Sequence, residues 1–106
     1  MLGQWVLLVP MGAWGVAQAQ AAPATQVRSL AATCAACHGT EGQAVQGQAM
    51  LALAGLTREH IAAQLHAFRD GSRPATVMQQ IAKGYSDEQI DALAAYFAGR
   101  PARSAP

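Results

Sequence analysis

Two cysteines and a histidine stand within one pentapeptide, Cys34-Ala35-Ala36-Cys37-His38, and they constrain the chain more than any other feature. The thiols fall three positions apart, on one helical turn. A disulfide between them would close a loop too small to staple a domain. The rest of the chain needs such help. Hydrophobic residues make up 52% and charged ones 12% of its 106 residues, which excludes a disordered tail. Alanine is nevertheless the dominant side chain, and it gives helix propensity with little burial. The formal charge of +1 excludes the strongly basic surface of a nucleic-acid binder.

The foldable part is shorter than the chain. Met1 to Ala22 carry no charged side chain, and Trp5 to Val16 are mostly apolar. Ala17-Gln18-Ala19-Gln20-Ala21 then offers small residues at the spacing a signal peptidase reads. Residues 1–22 are expected to be a cleaved signal peptide and 23–106 one periplasmic domain. An uncleaved anchor and a buried first helix are the alternatives. The apolar run falls short of the roughly 20 residues that span a bilayer, so no membrane association is expected after cleavage. About 85 residues then remain, without tryptophan, and with Phe68, Tyr85, Tyr96 and Phe97 as their aromatics. A domain this small often needs a metal, a disulfide or a cofactor to complete its interior.

The pattern predicts an all-α domain. Val27, Leu30 and Ala31 lie at helical spacing, so a first helix is expected from about Thr25, as its N-cap, to the cysteines. Gly39 to Gly55 has four glycines and little periodicity, and reads as a long loop that wraps something. A second helix is expected from Thr57, its cap, to about Asp70, with Ile61, Leu65 and Phe68 on one face and Gly71 at its end. Pro74 suits the first turn of a short helix through Ala82, stopped by Gly84. Ser86-Asp87-Glu88-Gln89 is a capping box opening a last helix, with Ile90, Leu93, Ala94 and Phe97 inward and Gly99 and Pro101 beyond it.

Cys34-Ala-Ala-Cys37-His38 matches C-x-x-C-H, the sequence of c-type haem attachment. The chemistry needs that spacing: two thiols on one turn reach the two vinyl groups of a porphyrin edge, and the next residue lies under the iron. One haem c, held by Cys34 and Cys37 with His38 as axial ligand, is therefore expected. Three other readings fit less. A disulfide leaves His38 and the glycine-rich loop unexplained, and a thioredoxin-like pair needs a preceding strand. A zinc site at His60 and His66 fails because the two are about 240° apart on a helix. For the second axial position the candidates are Met78, Met50, and His60 or His66, with Met78 favoured because it lies well downstream of His38. Met50 sits in an apolar run suited to packing against the ring. Two axial ligands leave no site for a substrate, so the protein is expected to be an electron relay and not an enzyme.

Across Val27 to Gly99 the chain resembles the class I cytochromes c. The segments Leu30 to Gly42 and Phe68 to Ile90 are similar to the cytochrome subunit of flavocytochrome c sulfide dehydrogenase, and beyond it to the cytochrome c4/c553 group. The resemblance implies a small cytochrome c fold with helices wrapped around one covalent haem, Met78 as axial ligand, and Leu30 packed against the Leu93–Phe97 stretch. Many of those cytochromes orient the ligand histidine through a proline carbonyl. Residues 39 to 73 contain no proline, which places the expected carbonyl near Gln48 or Ala49.

The resemblance implies a periplasmic single-electron carrier, the haem subunit of a sulfide-oxidising complex whose flavoprotein partner carries FAD. A free monohaem c553-type carrier feeding a terminal oxidase or reductase is the alternative, other redox proteins being its partners, and a gas-binding haem sensor a third reading. Ala35, Ala36, the Met50–Leu51 region and Thr76–Gln79 are expected around an exposed haem edge. They are small or uncharged, which favours a lasting complex. Arg73 and Lys83 flank the Met78 segment, and the sequence assigns neither to a haem propionate.

Overall fold

The computed structural model describes residues 2–5, 7, 10–13, 15, 23–48 and 51–103. The expected signal-peptidase site at Ala17–Ala21 and the ligand candidate Met50 lie outside the described residues. Leu2, Trp5, Leu7 and Met11 are exposed, so the core is built without them.

Every regular element among the described residues is helical: α1 (Ala24–Ala32), α2 (Ala35–His38), a 3-10 turn (Thr40–Gly42), α3 (Arg58–Asp70), α4 (Val77–Ala82) and α5 (Asp87–Ala98). α5 forms as its local sequence dictates. The Ser86 hydroxyl accepts from the Gln89 amide, and the Gln89 side chain accepts from the Ser86 amide. Such a cap is worth about 1 kcal/mol. Ile90, Leu93, Ala94 and Phe97 are at most 2% exposed. Burying a large apolar side chain that completely contributes about 1.5–3 kcal/mol. α3 packs on α5 and on α4, and α1 packs on α5. Leu30 joins the cluster of Ala31, Ile61, Leu93, Ala94 and Phe97, as the resemblance implied.

Two helix starts differ from expectation. Thr25 lies inside α1, whose N-cap is Pro23. With φ −55° and ψ 145°, Pro23 offers its carbonyl to the Gln26 and Val27 amides, so the helix begins before the threonine can cap it. α4 begins at Val77 rather than in the turn of Pro74. Gly71 reverses the chain with φ +85°, and the Arg73 amide is tied back to the Ala67 carbonyl (3.1 Å). The chain is therefore still wrapping the end of α3 when it reaches Pro74. Thr57 caps α3 as expected, accepting from the His60 amide.

The loop from residue 39 to 55 closes on itself. The amides of Leu53 and Ala54 both donate to the Gly42 carbonyl, at 2.9 and 3.1 Å. Gly42 has φ +71°, and a Cβ there would stand 2.7 Å from Cδ1 of Phe97. Only glycine allows this turn to lie directly on α5.

Candidate cofactor site

α1 hands over to the cysteine turn through a tight turn at Thr33 and Cys34. The Cys34 amide donates to the Ala31 carbonyl (3.1 Å), and the His38 amide to the Cys34 carbonyl (2.9 Å). This bonding holds both thiols and the imidazole on about one turn. Cys34 is half-buried and Cys37 exposed. Burial pushes the Cys34 thiol above its ordinary value, partly offset by the hydroxyls of Thr33 and Tyr85.

Nδ1 of His38 lies 2.5 Å from the carbonyl oxygen of Leu51. A carbonyl can only accept, so Nδ1 carries the proton and Nε2 keeps its lone pair free. That is the tautomer an imidazole needs to ligate a metal through Nε2. The carbonyl is thus Leu51's rather than one near Gln48 or Ala49. Gln48's carbonyl accepts from the Leu51 amide (3.0 Å), and this turn presents the Leu51 carbonyl to the ring. Ala49 lies outside the described residues.

Cys34, Cys37, His38 and Met78 all line one cleft of about 690 Å³. This volume falls in the ordinary range for cofactor and ligand pockets. Leu53, Ile61, Leu65, Phe68 and Leu93 supply its apolar wall, and among the described residues no aspartate or glutamate lines it. A flat apolar ring fits such a cleft, with thiols within reach of its edge. Met78, half-buried on α4, brings a thioether to the cavity from a second element. His60 also faces the cleft, whereas His66 does not. The His66 ring is engaged by Arg69 at 3.0 Å, so the two histidines point apart as their spacing predicts. Tyr85, Gln64 and Arg73 line the cleft as well. No periodic signal marks them, because the turns at Gly71 and Gly84 bring Arg73 and Tyr85 there.

The domain model described as "Cytochrome C oxidase, cbb3-type, subunit III" matches residues 20–97. The chain belongs to this family of c-type cytochromes. The cytochrome's cofactor is haem c, covalently bound, and its single C-x-x-C-H sequence makes it a monohaem electron carrier. It is 40% identical over 77 residues to the cytochrome subunit of sulfide dehydrogenase of Chlorobaculum tepidum, an alignment covering 71% of this chain and 68% of that protein. It is 42% identical to a thiosulfate dehydrogenase electron acceptor of Thiomonas intermedia, over 68% of this chain and 36% of the relative. To cytochrome c-553 of Helicobacter pylori strain 26695 it is 37% identical, over 76% of this chain and 84% of the relative. The chain thus spans little more than a third of the Thiomonas protein. Among the described residues, no helix is long and apolar enough to cross a membrane.

Proposed function

We propose that residues 23–106 form a periplasmic cytochrome, freed from a signal peptide over residues 1–22, in which Cys34 and Cys37 hold the haem as thioethers and His38 and Met78 ligate the iron. The observation that carries this reading is the His38–Leu51 hydrogen bond, which leaves Nε2 as a base inside the cleft that Met78 shares. When bound, the haem supplies a one-electron couple. The chain supplies everything else. The turn of α2 sets the spacing of the two thiols, and the Leu51 carbonyl fixes the imidazole plane. α4 delivers a soft thioether, a ligand that raises the potential of a haem iron. The apolar wall excludes water and lowers the local dielectric, which further disfavours the more highly charged oxidised form.

In the cell this cytochrome is the haem subunit of a sulfide dehydrogenase, taking electrons one at a time from the flavin of an FAD-containing partner and passing them to a further acceptor. The similarity to the Chlorobaculum subunit supports this assignment. Exposed Cys37, Leu51 and Val77 put uncharged surface at the cleft, suited to a close redox partner. A second reading, a free c553-type carrier, is favoured by the coverage of most of the Helicobacter cytochrome.

Native purification separates the two. A flavin in one-to-one ratio with haem, together with sulfide-driven haem reduction, is expected for the dehydrogenase subunit. A flavin-free haem protein at monomer mass would assign the chain to the free carriers.

A further inference from the structure

Haem brings two propionate carboxylates on the porphyrin edge away from its vinyl groups, and an apolar cleft needs a cation to keep them ionised. Among the described residues, Arg73 is the one lysine or arginine that lines the cleft. Arg73 and Lys83 are both exposed, and Lys83, at the C-cap of α4, lies outside the cleft. The Arg73 guanidinium is already oriented. Its Cζ stands 4.6 Å above the centroid of the Phe68 ring, and Nη1 donates to Oε1 of Gln64, which also lines the cleft. Its backbone amide is anchored to the Ala67 carbonyl at the end of α3. One N–H is thus spent on Gln64, and the rest of a planar five-donor fork is left for a carboxylate.

We infer that Arg73 is the haem-propionate anchor of this cytochrome, held in place by Phe68 and Gln64. The inference rests on the haem occupying this cleft as proposed above. Beyond binding, the guanidinium has an electrostatic consequence. Its positive charge beside the ring disfavours the oxidised state, and its pairing keeps the propionate ionised through the neutral range. The midpoint potential is then high and insensitive to pH there.

The test is potentiometric titration of the holoprotein from about pH 5 to 8. The titratable side chains lining the cleft, apart from the proposed haem residues Cys34, Cys37 and His38, are His60, Tyr85 and Arg73. The series is built on His60→Gln, which removes the α3 imidazole from the cleft lining and leaves Arg73 as the group compared. Arg73→Gln is expected to lower the potential and to introduce a slope, with the potential falling as pH rises. Lys83→Gln is expected to change neither. Arg73→Lys keeps the charge but loses the fork, and is expected to lower the potential by less while still showing a slope. It carries the test if the glutamine variant does not accumulate. Parental values in the Arg73 variants would overturn the inference, as would Lys83→Gln reproducing both effects. Intact mass before each titration separates the two levels: a parental chain without covalent haem overturns the haem reading and this inference with it, whereas a haem-bearing chain with unchanged Arg73 variants overturns this inference alone.

Discussion

The imidazole of His38 is held by the backbone of Leu51, thirteen residues away, through a 2.5 Å bond from Nδ1 to the carbonyl. The loop between them is therefore part of what positions this imidazole. In the ferrous protein the Nδ1 proton should give a resolved proton resonance that exchanges slowly with solvent and holds its position across neutral pH. A proton exchanging at the rate of an exposed imidazole would mean that the loop does not grip the ring.

Gly42 ties this loop to α5. A methyl group there would meet the Phe97 ring at 2.7 Å and force a side-chain residue to hold φ +71°. Strain and overpacking of this kind each cost about 1–3 kcal/mol. Gly42→Ala should lower the unfolding free energy of the holoprotein, read from its denaturant titration, by at least one such amount. Gly47, with nothing near its Cβ position, provides the contrast: it also has a positive φ, so Gly47→Ala should carry the backbone strain without the clash and cost less.

Met78 is expected to set both spin state and potential. Met78→Ala should convert the ferric haem from low to high spin and lower the midpoint potential, read by absorption spectroscopy and electrochemistry. An unchanged ferric spectrum would remove Met78 from the iron.

The segment that carries Met78 is closed at its base by Arg69, which donates to the Tyr85 carbonyl (3.2 Å) and to the Asp87 carboxylate (2.6 Å). The hydrogen bond from Arg69, and then its charge, hold the Asp87 carboxyl below its ordinary value. A carboxyl depressed in the folded state contributes stability that is present above its unfolded value and is lost as pH falls through the folded one. Stability measured by denaturant between neutral and acid pH should therefore fall less steeply in Asp87→Asn than in the parent. The contribution is small, since the Asp87 carboxylate is largely exposed. Identical slopes would show that the pair does not couple to folding.

What was legible in the sequence was local. The thiol spacing, the Thr57 cap and the Ser86–Gln89 box depend on residues within one turn, and all three stand where the sequence puts them. The α5 face was legible because Ile90, Leu93, Ala94 and Phe97 repeat at the helical period. Misreadings arose where a neighbour had already determined the backbone. Pro23 starts α1 ahead of Thr25, and the turn after Gly71 delays α4 past Pro74. The choice between Arg73 and Lys83 was not legible at all. Both flank Met78, and only the reversal at Gly71 returns Arg73 to the Phe68 ring while Lys83 stays outside. The Leu51 carbonyl was hidden for a related reason, since backbone acceptors carry no side-chain signature.

Attachment of one haem through Cys34 and Cys37 is best tested by the intact mass of the acid–acetone-extracted protein. The expected mass is that of the polypeptide plus one haem, with the haem lost when both cysteines are changed to alanine. A bare polypeptide mass in the parent protein, or haem retained in the double variant, would contradict it.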